Sequence, residues 1–266
     1  MIKRLLPLLI ISFLLVSCSK FQKLVKSTDN EKKYEMAIKY FEEKEYYRAI
    51  QLFEQIAPFF KGTDRAEKIA FYNAYSYYEQ KDYILAAYYF RQFAANYPNS
   101  KNAEEAAFLS AYCNYLDSPP SSLDQSVTLE AINGLQLFIN QHPTSSRVAR
   151  ANELIDELRV KLETKAFDVA NLYLKMEDYK AAIINFKNLV KDYPDTKYRE
   201  TAMFNIAKAS YYYASKSFEN KKQERFQNTS DALDNFVTNY PNSEYMKEVQ
   251  QLKRNTDREL QNLSSL

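Results

Sequence analysis

Four turns of one design punctuate the chain: Tyr97-Pro98-Asn99-Ser100, His142-Pro143-Thr144-Ser145, Tyr193-Pro194-Asp195-Thr196 and Tyr240-Pro241-Asn242-Ser243. Proline stops an incoming helix, and Asn, Asp, Ser or Thr after it caps the next by accepting a bond from its free N–H groups. A second pattern opens the helix ahead of such turns: Glu45-Tyr46-Tyr47-Arg48-Ala49, Asp82-Tyr83-Ile84-Leu85-Ala86 and Asp178-Tyr179-Lys180-Ala181-Ala182. Each is followed four residues later by phenylalanine, at Phe53, Phe90 and Phe186. A helix pair that recurs in this way buries little surface alone and must stack on its neighbours. The expected fold is therefore an all-α repeat protein.

The spacing resembles the tetratricopeptide (TPR) repeat, a unit of about 34 residues with small residues, an aromatic, a large apolar residue and a proline at set positions. The stretch from Glu67 places Ala74, Tyr77, Ala86, Phe90 and Pro98 there, and the stretch from Glu163 places Ala170, Tyr173, Ala182, Phe186 and Pro194. From Asn30 come Ala37, Tyr40, Ala49 and Phe53, with Lys61 in place of the proline and Gly62 ending the helix. Alanine lets paired helices approach closely while the aromatics fill the groove between them. A third unit carries Ala111, then Ala131, Leu135, Phe138 and Pro143, its inner turn lengthened by 117–122. A fifth pairs a helix around 202–215 with one around 230–239, across a polar insertion near 218–227. Residues 146–176 contain no Pro or Gly and keep an apolar rhythm, which predicts one long helix. The last helix, over 244–263, would cap the core that a solenoid's end otherwise exposes. The resemblance implies a TPR-type α-solenoid of about five helix pairs plus a C-terminal capping helix.

The N-terminus has a different character. Lys3 and Arg4 precede an apolar run over 5–16 broken only by Ser12, and the chain turns polar after Cys18 with Ser19, Lys20 and Gln22. A basic segment, a short apolar segment and small residues before a cut site make a secretory signal peptide. The run is too short to span the roughly 30 Å of hydrocarbon in a bilayer. Leu15-Val16-Ser17-Cys18 resembles a bacterial lipobox, which implies that Cys18 is lipidated and becomes the first residue of the mature protein. The expected organisation is a cleaved signal peptide over 1–17 and a lipidated N-terminus with a flexible tether over 18–30. Repeat units one to three follow over 31–145, and the long connecting helix, units four and five and the capping helix over 146–266.

Composition excludes several functions. Removing 1–17 takes two basic side chains and no acidic one, leaving 34 of each in the mature chain. A neutral chain lacks the basic face a nucleic-acid partner requires. Only two glycines are present, Gly62 and Gly134, too few for a phosphate-cradling loop or a dinucleotide fingerprint. The lone His142 sits before a proline, as a turn residue, and leaves no zinc set. Cys113 lies in an apolar helical stretch and has no intrachain partner once Cys18 is lipidated. No enzyme, cofactor or metal is expected.

A TPR solenoid works largely through positions 5, 9 and 12 of each first helix, which share one stripe. The first unit puts Tyr34, Ile38 and Phe41 there, the second Phe71, Tyr75 and Tyr78, and the third Phe108, Tyr112 and Tyr115. The fourth, with Phe167, Asn171 and Leu174, is less aromatic. Tyr34, Phe41, Phe71, Tyr75, Tyr78, Phe108, Tyr112 and Tyr115 thus predict an N-terminal groove for an extended peptide, with phenol hydroxyls to hold its backbone.

A lipobox, about five TPR units, a long helix between the third and fourth, and Asp-Tyr-Pro-Asp-Thr at 192–196 together resemble the BamD family. That family is the lipoprotein subunit of the BAM complex, which assembles β-barrels in the outer membrane. The resemblance implies a lipid anchor in the outer membrane, facing the periplasm. It implies that the C-terminal half docks on a BamA-like barrel protein and that the N-terminal groove engages unfolded outer-membrane β-barrel proteins. The alternative is another TPR lipoprotein scaffold with a cell-wall or glycan-uptake partner.

Overall fold

A computed structural model describes residues 20–265. The signal segment over 1–17 and the lipidation site Cys18 lie outside the described residues. No strand occurs among those described. A short helix over 20–25 (α1) precedes α2 (Asn30–Glu42), α3 (Tyr46–Ile56), α4 (Asp64–Glu79), α5 (Tyr83–Asn96), α6 (Ala103–Asp117) and α7 (Ser126–Gln141). There follow α8 (Val148–Lys175), α9 (Tyr179–Asp192), α10 (Arg199–Ser215), α11 (Glu219–Asn239) and α12 (Met246–Ser264). Two compact units divide this order. Unit 1 runs to Pro119 and over Gln125–Ile155; unit 2 holds Pro120–Asp124 and everything from Asp156. The fold is all-α, of TPR type, with antiparallel pairs α2/α3, α4/α5 and α6/α7 stacked in unit 1 and α9, α10, α11 and α12 packed in succession in unit 2.

The four proline turns share one geometry. Tyr97, His142, Tyr193 and Tyr240 end their helices with φ near −130°, and each donates its backbone N–H to the carbonyl four residues back at 2.9 Å. The fourth residue of each turn then accepts a bond on its side-chain oxygen from the N–H two residues on. These are Ser100 from Asn102, Ser145 from Arg147, Thr196 from Tyr198 and Ser243 from Tyr245, at 3.0–3.3 Å. The hydroxyl-bearing fourth residue, rather than Asn99 or Asp195, therefore satisfies a free donor at the start of the next helix. Two of these hydroxyls also reach back to the first helix of the pair they close: Ser100 Oγ donates to Glu67 on α4 at 2.6 Å and Ser145 Oγ to Glu104 on α6 at 2.5 Å.

The turns inside the pairs are tighter. Lys44, Lys81 and Glu177 each adopt φ 61°, the left-handed region. In each case the next N–H donates to a carbonyl five residues back: Glu45 to Tyr40, Asp82 to Tyr77 and Asp178 to Tyr173. That bond closes a Schellman-type end, and it holds three non-glycine residues in a conformation usually given to glycine. Asp82 and Asp178 then cap α5 and α9 by accepting from Leu85 and Ala181.

The repeat positions form the core. Ala37, Ala49, Ala74, Ala86, Ala170 and Ala182 are fully buried, as are Phe53, Phe90 and Phe186. Gly134 shows how close the pairs come: a Cβ there would stand 3.0 Å from the Cβ of Ala111, so α7 meets α6 nearly backbone to side chain.

Two elements depart from the sequence expectation. The flexible tether assigned to 18–30 contains α1, whose Phe21 and Leu24 are buried with Ala37, Ala49 and Phe53. Phe21 meets Tyr40 edge-on at 5.6 Å and lies under the Arg48 guanidinium at 5.4 Å. Two apolar residues three apart give even a six-residue segment one face to bury. The polar insertion near 218–227 is helical, the first turns of α11. Lys222 pairs with Glu219 and Lys221 with Glu224, while Phe226 is the one large anchor, 1% exposed.

Candidate functional site

The aromatic stripe of unit 1 is set by α2, α4 and α6, the first helices of three successive pairs. Phe41 stacks on Tyr72 at 4.1 Å and meets Tyr75 edge-on at 6.5 Å. Tyr75 continues to Tyr78 at 5.8 Å. On α6, Phe108, Tyr112 and Tyr115 form a ladder of nearly parallel rings, 5.7 Å between successive centroids. Tyr34 lies against Phe60 at 5.5 Å, with the Arg65 guanidinium 4.7 Å from its ring.

These eight residues divide by exposure. Phe71 and Phe108 are buried, at 8% and 5%, and pack on Phe93 and Phe138. The residue beginning the next unit covers this register: Arg147 lies over Phe108 at 5.0 Å, and in unit 2 Tyr198 stacks on Phe167 and Tyr245 on Phe204. Position 5 is therefore mostly joint between successive helix pairs within each unit. Tyr34, Phe41, Tyr75, Tyr78, Tyr112 and Tyr115 are half-buried, and they supply the accessible ring edges.

Burial and nearby carboxylates tune the phenols. Desolvation pushes the Tyr75 hydroxyl above its ordinary pKa, with Glu105 and Glu79 adding to the shift and Arg147 opposing it. Desolvation does the same to Tyr78, helped by Tyr112 and Cys113 nearby. Both therefore stay protonated donors at neutral pH, able to bond a peptide carbonyl. Behind them, Tyr77 donates to Glu54 at 2.5 Å and stacks on Tyr89 at 5.1 Å, which fixes α4 against α3 and α5. Two grooves of unit 1 lie off this stripe. One of about 610 Å³ is lined by Arg91, Ser110, Asn114, Glu130 and Gly134; one of about 330 Å³ by Asn73, Tyr88, Tyr89 and Gln92.

Cys113 is fully buried, and desolvation pushes its thiol up to about 12. Only the thiolate reacts, so iodoacetamide at pH 8 should leave Cys113 unmodified in the folded protein and label it once urea unfolds the chain. Labelling at equal rates in both states, read by intact mass, would place Cys113 at the surface. His142 caps α7 through its backbone and packs on Phe138 at 5.2 Å. Among the described residues no group of His, Cys, Asp and Glu can hold a metal ion, and no helix is long and apolar enough to cross a membrane.

Stacked helix pairs with small and aromatic residues at the repeat positions of their core define a helical-repeat protein of TPR type. The chain belongs to the YfiO family, described as outer membrane lipoprotein, whose sequence profile matches residues 26–225. Comparison with curated proteins finds no match. Among solved structures the chain is similar to the yeast histone chaperone Hif1, described as a scaffold protein recruiting protein complexes to core histones. The two are 13% identical over 93% of this chain and 98% of that one, with a TM-score of 0.28, too loose a likeness to bear on function.

Proposed function

We propose that this protein is a BamD-type subunit, a scaffold anchored in the outer membrane by lipid on Cys18 and facing the periplasm. Its C-terminal half, beyond the long helix α8, docks on a BamA-like barrel protein. Its N-terminal aromatic stripe holds segments of unfolded outer-membrane β-barrel proteins on their way to insertion. Membership of an outer-membrane lipoprotein family supports the location. The observation that carries the substrate reading is the run of half-buried tyrosines across α4 and α6, Tyr75, Tyr78, Tyr112 and Tyr115.

Strands of membrane β-barrels alternate apolar and polar side chains and carry aromatic girdles. An extended segment of that kind lays every second side chain against the rings, while the phenols hold its backbone. Ordering a flexible peptide consumes much of the contact energy, so binding is expected to be weak. Tyr75→Ala/Tyr78→Ala should weaken binding of a fluorescent barrel-strand peptide about tenfold or more, at about 1–2 kcal/mol per well-packed aromatic. Circular dichroism checks the fold, and co-purification of the BamA-like protein should be unchanged. Equal affinities in two well-folded proteins would move the substrate site elsewhere.

A further inference from the structure

A groove of unit 2 carries a charge pattern that its helix packing does not use. It encloses about 790 Å³, with α9 and α11 as walls and α10 as floor. Five cations line it: Lys180, Lys187, Lys191, Arg199 and Arg225. Asp231 is the single lining carboxylate, and it accepts a bond from Gln227. Between the charges lies an apolar strip of Ile183, Ile184, Met203 and Ile206, with Ile184 49% exposed.

The two arginines are fixed and the lysines are free. Arg199 donates to the carbonyls of Val190 and Pro194, and Arg225 donates to Ser217 while lying 4.0 Å from the Tyr213 ring. Neither faces a carboxylate in those contacts. Lys180, Lys187 and Lys191 make no ion pair among the described residues. Together with Ile184, they fall at i, i+4, i+7 and i+11 on α9, one stripe of one helix face. Surface charges of both signs are normally interspersed, and the mature chain has as many acids as bases. Five cations against one acid around an apolar floor is a local excess that suits an acidic partner with an apolar side.

We propose that this groove docks an acidic amphipathic segment of a protein partner, apolar side chains against Ile183, Ile184, Met203 and Ile206, and carboxylates among Lys180, Lys187 and Lys191. This rests on the reading that the C-terminal half is the docking half, and it adds where and by what chemistry the partner is held. The cationic stripe extends from Lys180 to Lys191, about 17 Å at 1.5 Å per residue. A segment of about three helical turns covers it.

The test titrates the full mature chain in non-ionic detergent with a fluorescein-labelled 14-residue helical peptide, leucine on one face and glutamate on the other. Wild type should bind it, with affinity falling as salt rises. The same peptide with lysine for glutamate should not bind. Lys187→Glu/Lys191→Glu should weaken binding about tenfold and Ile184→Ser several-fold. These three residues are exposed, so the variants should keep the wild-type circular dichroism. Equal binding of the two peptides, or no loss on charge reversal, would overturn the proposal. So would charge-dependent uptake of phosphatidylglycerol mixed micelles with no peptide binding, which would make this a lipid surface. Co-purification separates this inference from the assembly reading. Peptide binding without any BamA-like protein defeats only the latter, and a BamA-like protein retained without peptide binding defeats only the groove.

Discussion

Phe186→Ala is expected to cost about 3–5 kcal/mol, the range for deleting a fully buried aromatic and leaving its cavity behind. Phe186 has no exposed surface and sits at the centre of the unit 2 core, among Ala170, Ala182, Leu189, Ala202 and Ala209. Its ring meets Phe167 edge-on at 6.0 Å. The neighbouring alanines have no side chain to swing into the hole, so only Leu189, Phe167 and the partly buried rim residues can relax toward it. Domains are stable by only about 5–15 kcal/mol, so the loss removes a large share of the margin. Urea unfolding followed by circular dichroism should show the midpoint fall sharply. Ile184→Ala, two residues away on the exposed face of α9, should stay within about 0.5 kcal/mol of wild type. A Phe186→Ala protein as stable as wild type would mean that α9 is rotated from the packing described here.

The alanine and phenylalanine positions were legible in the sequence because their signal is short-range. Proline sets the turn, and a small residue opposite a large one at helical spacing fixes the face, so Ala86 with Phe90 and Ala182 with Phe186 are readable without a structure. The start of α11 was not, because Glu219 to Gln227 holds one large apolar residue, Phe226, and a single anchor makes no period. Its charged residues are good helix formers, and propensity with i,i+3 pairing carries those turns. The left-handed residues at Lys44, Lys81 and Glu177 have no glycine to announce them. Gly134 was visible as a residue but not as a contact, since its meaning lies in Ala111, on the neighbouring helix.

The candidate site was legible to the extent that it follows one helix stripe. Spacing alone places Tyr75 with Tyr78 and Tyr112 with Tyr115. It does not tell an accessible ring from one packed against a neighbouring helix, and that divides Tyr75 from Phe71, whose ring lies on Phe90 and Phe93. The covering residues, such as Arg147 over Phe108, lie tens of positions away. The basic groove of unit 2 escaped for the same reason. Lys187 is an ordinary exposed lysine until α10 and α11 bring Arg199 and Arg225 to the same groove.

Cys18→Ala is expected to abolish direct lipid attachment to the outer membrane, the largest effect of any single substitution in this chain. The apolar run over 5–16 would reach about 18 Å as a helix, well short of the hydrocarbon core. No described helix is long and apolar enough to take its place. On the proposed anchor, attachment comes from acyl chains, each buried CH₂ contributing about 0.8 kcal/mol, and one chain alone binds only marginally. A lipidated cysteine carrying several chains changes the partition by many orders of magnitude, and alanine cannot accept any of them. Wild-type protein should be recovered in the outer-membrane fraction with an acyl mass on its N-terminal cysteine. The Cys18→Ala protein should carry no acyl mass and be released from that fraction by a carbonate or urea wash that strips protein held only by docking. The described helices do not involve residue 18, so the purified variant should still unfold at the wild-type urea concentration and bind the barrel-strand peptide with unchanged affinity. Wild-type protein found soluble, without an acyl mass, would defeat the anchor and leave the aromatic stripe to be explained by a freely diffusing scaffold.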